Sequence, residues 1–136
     1  MAVVDRLISC VVIPPDSSIS INPTRLNVPN SAVDDNRLVW TIPAENSGTF
    51  AETAFFEWKG DAVAQGAPAV SFVNSKRLES GTYSNGLGLP RRLWHYKIMI
   101  SGEWVDPEVN NQPPGGGPGG MPGPGGPPPG GPKPRP

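Results

Sequence analysis

Trp94-His95-Tyr96-Lys97-Ile98-Met99-Ile100 is the stretch that decides the fold class. Trp94, Tyr96, Ile98 and Ile100 fall on one face, and His95, Lys97 and Met99 on the other. A period of two is the pattern of an antiparallel strand with one face in a core and one in water. The pattern repeats outward along the chain. Leu38, Trp40 and Ile42 alternate, with Thr41 between the last two. Ile19 and Ile21 alternate with Ser18, Ser20 and Asn22, and Leu26 and Val28 continue past Pro23. Val3 to Ile13 is apolar on both faces, which suits a more central strand. Val70, Phe72 and Thr82-Tyr83 add short strands.

Phe50 to Trp58 reads as a further strand, with Ala54, Phe56 and Trp58 inward and Glu57 and Lys59 outward. The competing reading is a helix opened by a capping box between Thr49 and Glu52. The short aromatic run favours the strand, and Lys59-Gly60-Asp61 then makes a turn. Proline and glycine clusters punctuate the rest: Pro14-Pro15-Asp16, Pro29-Asn30-Ser31, Asn46-Ser47-Gly48, Gly66-Ala67-Pro68 and Ser84-Asn85-Gly86. Many short strands with turns between them define an all-β chain folded as a single β-sandwich.

The sandwich is assigned to residues 1–111. Residues 112–136 are almost entirely proline and glycine. Such a segment lacks the apolar surface needed to offset the entropy of ordering, so a disordered tail of polyproline II character is expected. Glycine does not recur at every third position, which excludes a collagen helix. Pro132-Lys133-Pro134-Arg135-Pro136 gives the tail a charged end suited to aromatic grooves that accept polyproline II.

The formal charge is -1 with both signs interspersed, so no basic field attracts nucleic acid or anionic lipid. No run approaches the roughly 18 apolar residues of a membrane span. Leu7 to Cys10 matches a lipoprotein cleavage site loosely, but Asp5 and Arg6 interrupt what precedes it, and a cytoplasmic protein is expected. Cys10 is the single cysteine and reads as a small buried hydrophobe.

Few residues suit chemistry. His95 is the single histidine, on the outward face of its strand. There is no paired cysteine or histidine motif and no phosphate-binding glycine loop followed by Lys-Ser or Lys-Thr. Asp34-Asp35-Asn36 lacks calcium-loop spacing and reads as a polar turn. No metal and no cofactor are expected. The carboxylates Glu45, Glu52, Glu57, Glu79, Glu103, Asp106 and Glu108 are scattered, which leaves a carboxylate-based hydrolase as a remote alternative. Of the four tryptophans, Trp40 and Trp94 sit in the inward register. Trp58 and Trp104 lie at strand ends, where exposed rings bind sugars or protein partners. Arg91-Arg92 is a candidate anion spot, set against an ordinary solvated loop.

Ile19-x-Ile21-x-Pro23-x-x-Leu26-x-Val28, then Leu38-x-Trp40-x-Ile42, resembles the opening of cupredoxin-like domains. Trp94-x-Tyr96-x-Ile98-x-Ile100 followed by Asp106-Pro107 is similar to their last strands. The resemblance covers about half of the folded region and implies a cupredoxin-like or immunoglobulin-like sandwich. Blue-copper sites need two histidines, a cysteine and usually a methionine. With one histidine, and a cysteine in the first strand, no copper ligand carries over. The expected function is a non-enzymatic binding or structural module with a protein partner or self-association. A small-ligand or carbohydrate-binding sandwich is the alternative.

Overall fold

The computed structural model describes residues 2–86 and 88–114. The Pro/Gly tail therefore lies outside the described residues, apart from Gln112, Pro113 and Pro114. Ten strands and one short helix follow in order: β1 (Ala2–Ile13), β2 (Ser18–Asn22), β3 (Arg25–Val28), β4 (Asp34–Thr41), β5 (Phe56–Trp58), α1 (Gly60–Ala64), β6 (Val70–Asn74), β7 (Arg77–Ser84), β8 (Arg92–Ile100), β9 (Glu103–Val105) and β10 (Glu108–Asn111). They form two sheets, sheet A in the order β2-β1-β4-β7-β6 and sheet B in the order β3-β10-β8-β5, with β9 also on β8. The fold is an all-β sandwich.

The inward residues of both sheets make one core. Ile8, Leu38, Trp40 and Leu78 of sheet A meet Trp94, Tyr96, Ile98, Ile100 and Val109 of sheet B, all fully buried. Trp40 donates its indole N–H to the Tyr96 hydroxyl at 2.9 Å, a bond made inside the core. Phe56 stacks on Tyr96, and Trp58 packs edge-on against Trp94 and Tyr96. The alternation seen in β8 thus produces the fold as expected, since side chains of one parity must share a layer.

Pro23 and Thr24 carry the chain from β2 in sheet A to β3 in sheet B. Proline has no N–H to continue a ladder, so pairing lapses there and resumes with a new partner. β3 then runs parallel to β10, and β1 runs parallel to β4. β1 lies between β2 and β4, the central place its sequence implied. β8 turns into β9 through Ser101 and Gly102, at φ 50° and 84°. That pair of left-handed residues is a type I′ turn, whose twist matches a hairpin. β9 and β10 pair with β8 in one unbroken register, so they are a single return strand interrupted at Asp106-Pro107.

Several local expectations are corrected. Only Phe56–Trp58 of the Phe50 stretch is strand. Ala54 has φ 51° and is exposed rather than inward, because a left-handed residue breaks the extended path. Phe50 keeps an isolated bridge to Ile100. Lys59-Gly60-Asp61 opens α1 instead of making a turn, and buried Ala62 seats that helix. Asp34-Asp35-Asn36 belongs to β4, with Asn36 buried and bonded by Arg6. Asn85 is buried rather than a surface turn residue. Its amide donates to the carbonyls of Val28, Pro29 and Gln112, tying three segments together. Past β10, Gln112 N–H donates to the Val28 carbonyl at 2.9 Å.

Candidate functional site

The two outer faces of the sandwich differ in chemistry, and one end carries a cleft. On sheet B the outward residues form a grid of opposite charges. Glu108 of β10 accepts from Arg25 of β3, and its other oxygen lies 3.0 Å from His95 Nε2 of β8. Glu57 of β5 pairs with Lys97 of β8 at 3.1 Å, and Asp106 pairs with Lys59 at 3.4 Å. Arg91 donates to Asn110, which in turn donates to Asn27. Cross-strand neighbours of opposite sign stabilise a sheet face, though exposed pairs add little each. This arrangement has no free charge among its pairs to draw a strongly charged partner.

The sequence candidates separate on this framework. Trp104 lies on the outer face of sheet B, 41 % exposed, with the Lys97 ammonium 5.0 Å from its ring centre. Trp58 points the other way, into the aromatic core, and its indole N–H donates to the Pro68 carbonyl at 2.7 Å. The two rings are on opposite faces of one sheet and cannot grip one ligand. Arg91 and Arg92 diverge for the same reason of parity. Arg92 starts β8, donates to Ser84 and Asn85, and lies over the Trp94 ring at 5.2 Å. His95 is half-exposed outside sheet B, whereas Cys10 is fully buried between the sheets. The layers keep them apart, and burial pushes the Cys10 thiol up to about 12, so it is not a thiolate at neutral pH. Among the described residues no group of three His, Cys, Asp or Glu could hold a metal ion.

Sheet A shows the opposite chemistry. β1 points Ile8, Cys10 and Val12 inward, and Val3, Leu7, Val11 and Ile13 outward. Val3, Leu7 and Ile13 are 50, 61 and 45 % exposed. Beside Leu7 in register, Val39 of β4 is fully buried outside the main core. The outward row runs about 33 Å at the usual strand rise, and Asp5 and Ser9 share it with Val3, Leu7, Val11 and Ile13. Asp5, inside the row, pairs with Arg37 of β4 at 2.9 Å, and Arg77 pairs with Glu79 on β7 at 2.6 Å. Arg37 holds the Asp5 carboxyl below its ordinary value by hydrogen bonding. The sequence made the two apolar faces of β1 legible, but not that one of them stays uncovered.

The cleft lies where β1 and β8 end. Beyond Thr41 no strand flanks β1 on the β4 side, and Asn46 takes that place. Its side-chain oxygen accepts from Val12 N–H at 2.9 Å, and its amide donates to Val12 C=O at 3.0 Å. The same oxygen accepts from Gly48 N–H, and the Lys76 ammonium donates to the carbonyls of Asn46 and Gly48. Gly48 is required there, since a Cβ would lie 2.9 Å from a Val12 methyl.

No protein-family model matches this chain, and a search of curated proteins gives no match. Among the described residues no helix is long and apolar enough to cross a membrane.

Proposed function

We propose that the chain is a non-enzymatic interaction module that associates with a second copy of itself through the outer face of sheet A. The observation that supports this is the row Val3, Leu7 and Ile13, half-exposed along a strand with apolar residues on both faces. Strands read this way when both faces are covered. Single exposed apolar residues are ordinary, but Val3, Leu7 and Ile13 recur on one face of one strand, which suits a contact surface. The pairs Asp5–Arg37, within the face, and Arg77–Glu79, beside it, carry both signs in equal number, so a two-fold related copy finds an opposite charge for each of its own.

Size-exclusion chromatography with light scattering on the full chain tests this. The expected result is a dimer that Leu7→Asp converts to a folded monomer whose melting temperature no longer rises with protein concentration. A wild-type monomer at every concentration would overturn the reading. The finer relationship, a copper-free cupredoxin-like or immunoglobulin-like domain, belongs to the same proposal, supported by the two-sheet architecture and the periodicity of β2 to β4 and β8. A cytoplasmic setting does too, on the sequence reading of β1 and the single cysteine.

A second reading rests on Trp104, the one half-exposed indole among the described residues, set beside Lys97 in a flat polar face. It makes sheet B a carbohydrate platform, since sugars stack on exposed rings. Tryptophan emission that stays constant across a glycan panel excludes it.

A further inference from the structure

We infer that the open end of the sandwich binds a small organic cation, an alkyl ammonium of about six heavy atoms. A cleft of about 210 Å³ lies there between the ends of the two sheets. Its size sets the scale of the ligand. An apolar cavity of roughly 150 Å³ accepts a six-carbon ring, whereas drug-sized ligands need about 300 Å³ or more.

The lining sets the chemistry. Val12, Ile19 and Ile100 give the lining its apolar part, and Ser17, Ser47 and Ser101 its small polar part. Glu103 is the single charged residue of the wall, and no cation lines the cleft. Each acidic side chain of the sheet B grid is tied to a basic one, but Glu103 has no ion pair among the described residues. The Lys76 ammonium, on the neighbouring loop, is turned onto two carbonyls. The cleft thus offers one uncompensated carboxylate together with apolar side chains, which suits an alkyl chain ending in an ammonium group.

The walls are fixed in place. Ser17 and Ser101 have φ 60° and 50°, two of the three left-handed non-glycine residues among the described residues. Held conformations of this kind persist only where surroundings determine them. Ser101 accepts from Thr49 N–H at 3.2 Å, and its hydroxyl oxygen keeps a second lone pair to accept from an ammonium N–H. Ser47 follows Asn46, which is clamped to Val12. Glu103 is set by the type I′ turn opposite Ile100.

The test is an amide NMR titration of the full chain with n-pentylammonium, with pentanol and pentanoate as matched probes. The expected result is saturable shifts confined to the cleft residues for the ammonium, weaker shifts for the alcohol and none for the acid. Glu103→Gln, in an exposed hairpin, is expected to keep the spectrum dispersed and weaken ammonium binding about tenfold. Shifts that do not saturate, that pentanoate reproduces, or that survive Glu103→Gln unchanged would overturn the inference. Because the cleft is on neither outer face, these outcomes are independent of self-association.

Discussion

Asn46→Ala removes the side chain that stands in for a missing strand. Three hydrogen bonds go with it: two with Val12 and one from Gly48 N–H. A net hydrogen bond is worth about 1 kcal/mol, and a buried polar group left without a partner costs about 1–3 kcal/mol. Val12 is only 7 % exposed, so water replaces its lost partners poorly. The expected destabilisation is about 2–4 kcal/mol. Against a total of about 5–15 kcal/mol that is a large share. It corresponds to a fall in Tm of roughly 10 °C or more for a domain of this size. Urea unfolding of the full chain reads it directly, as a lower midpoint with an unchanged slope. Asn46→Asp separates the roles of the two ends of the amide. It still accepts from Val12 and Gly48, but it faces the Val12 carbonyl with an oxygen, so it falls between wild type and alanine. A loss under about 0.5 kcal/mol for Asn46→Ala would refute the claim that this amide carries the end of β1.

Trp40→Phe strips the Tyr96 hydroxyl of its buried donor, whereas the Trp94 indole N–H has no partner to lose. Trp40→Phe is therefore expected to cost about 1–2 kcal/mol more than Trp94→Phe in urea unfolding, and equal costs would contradict it. Cys10 titrates at about 12 in the fold against an ordinary 9.0, raised by burial, so its neutral form is the folded one. That contribution is full below pH 9 and is lost as pH climbs toward 12. Tyr83 and Tyr96 are shifted up by burial as well. The urea midpoint should therefore decline above pH 9, less steeply in Cys10→Ala, and identical slopes would count against the assignment. Arg77→Ala opens a surface pair with Glu79 and should change stability by less than about 1 kcal/mol, checked by thermal melting.

Much of the sandwich was legible because its core strands alternate cleanly. In β8 and β4 the inward positions are large and apolar, and parity alone assigns their faces. β10 was not legible: Glu108-Val109-Asn110-Asn111 has one apolar residue, and its strand character comes from β3 and β8 on either side. Ala54 and Ser101 take left-handed backbone that their residue types do not announce. Asn46 and Asn85 looked like turn residues, as composition would have it. Their amides instead replace backbone partners from distant segments, which only tertiary contact decides. The separation of Trp58 from Trp104 follows from strand parity, yet it needed the register of β9, which was missed. The cleft gathers serines from three loops, and no sequence spacing links them.

Ala2 pairs with Asp34, Asp35 with Ser84, and Asn85 holds Gln112. The first described residues and the last therefore leave from one pole of the sandwich. The type I′ hairpin, the Asn46 loop and the cleft occupy the other pole. Anything joined at Ala2 or Pro114 attaches at the first of these poles. Immobilised there, the domain would present the cleft to solution and keep the long sides of both sheets free, so a tethered array of such domains would offer its grooves outward.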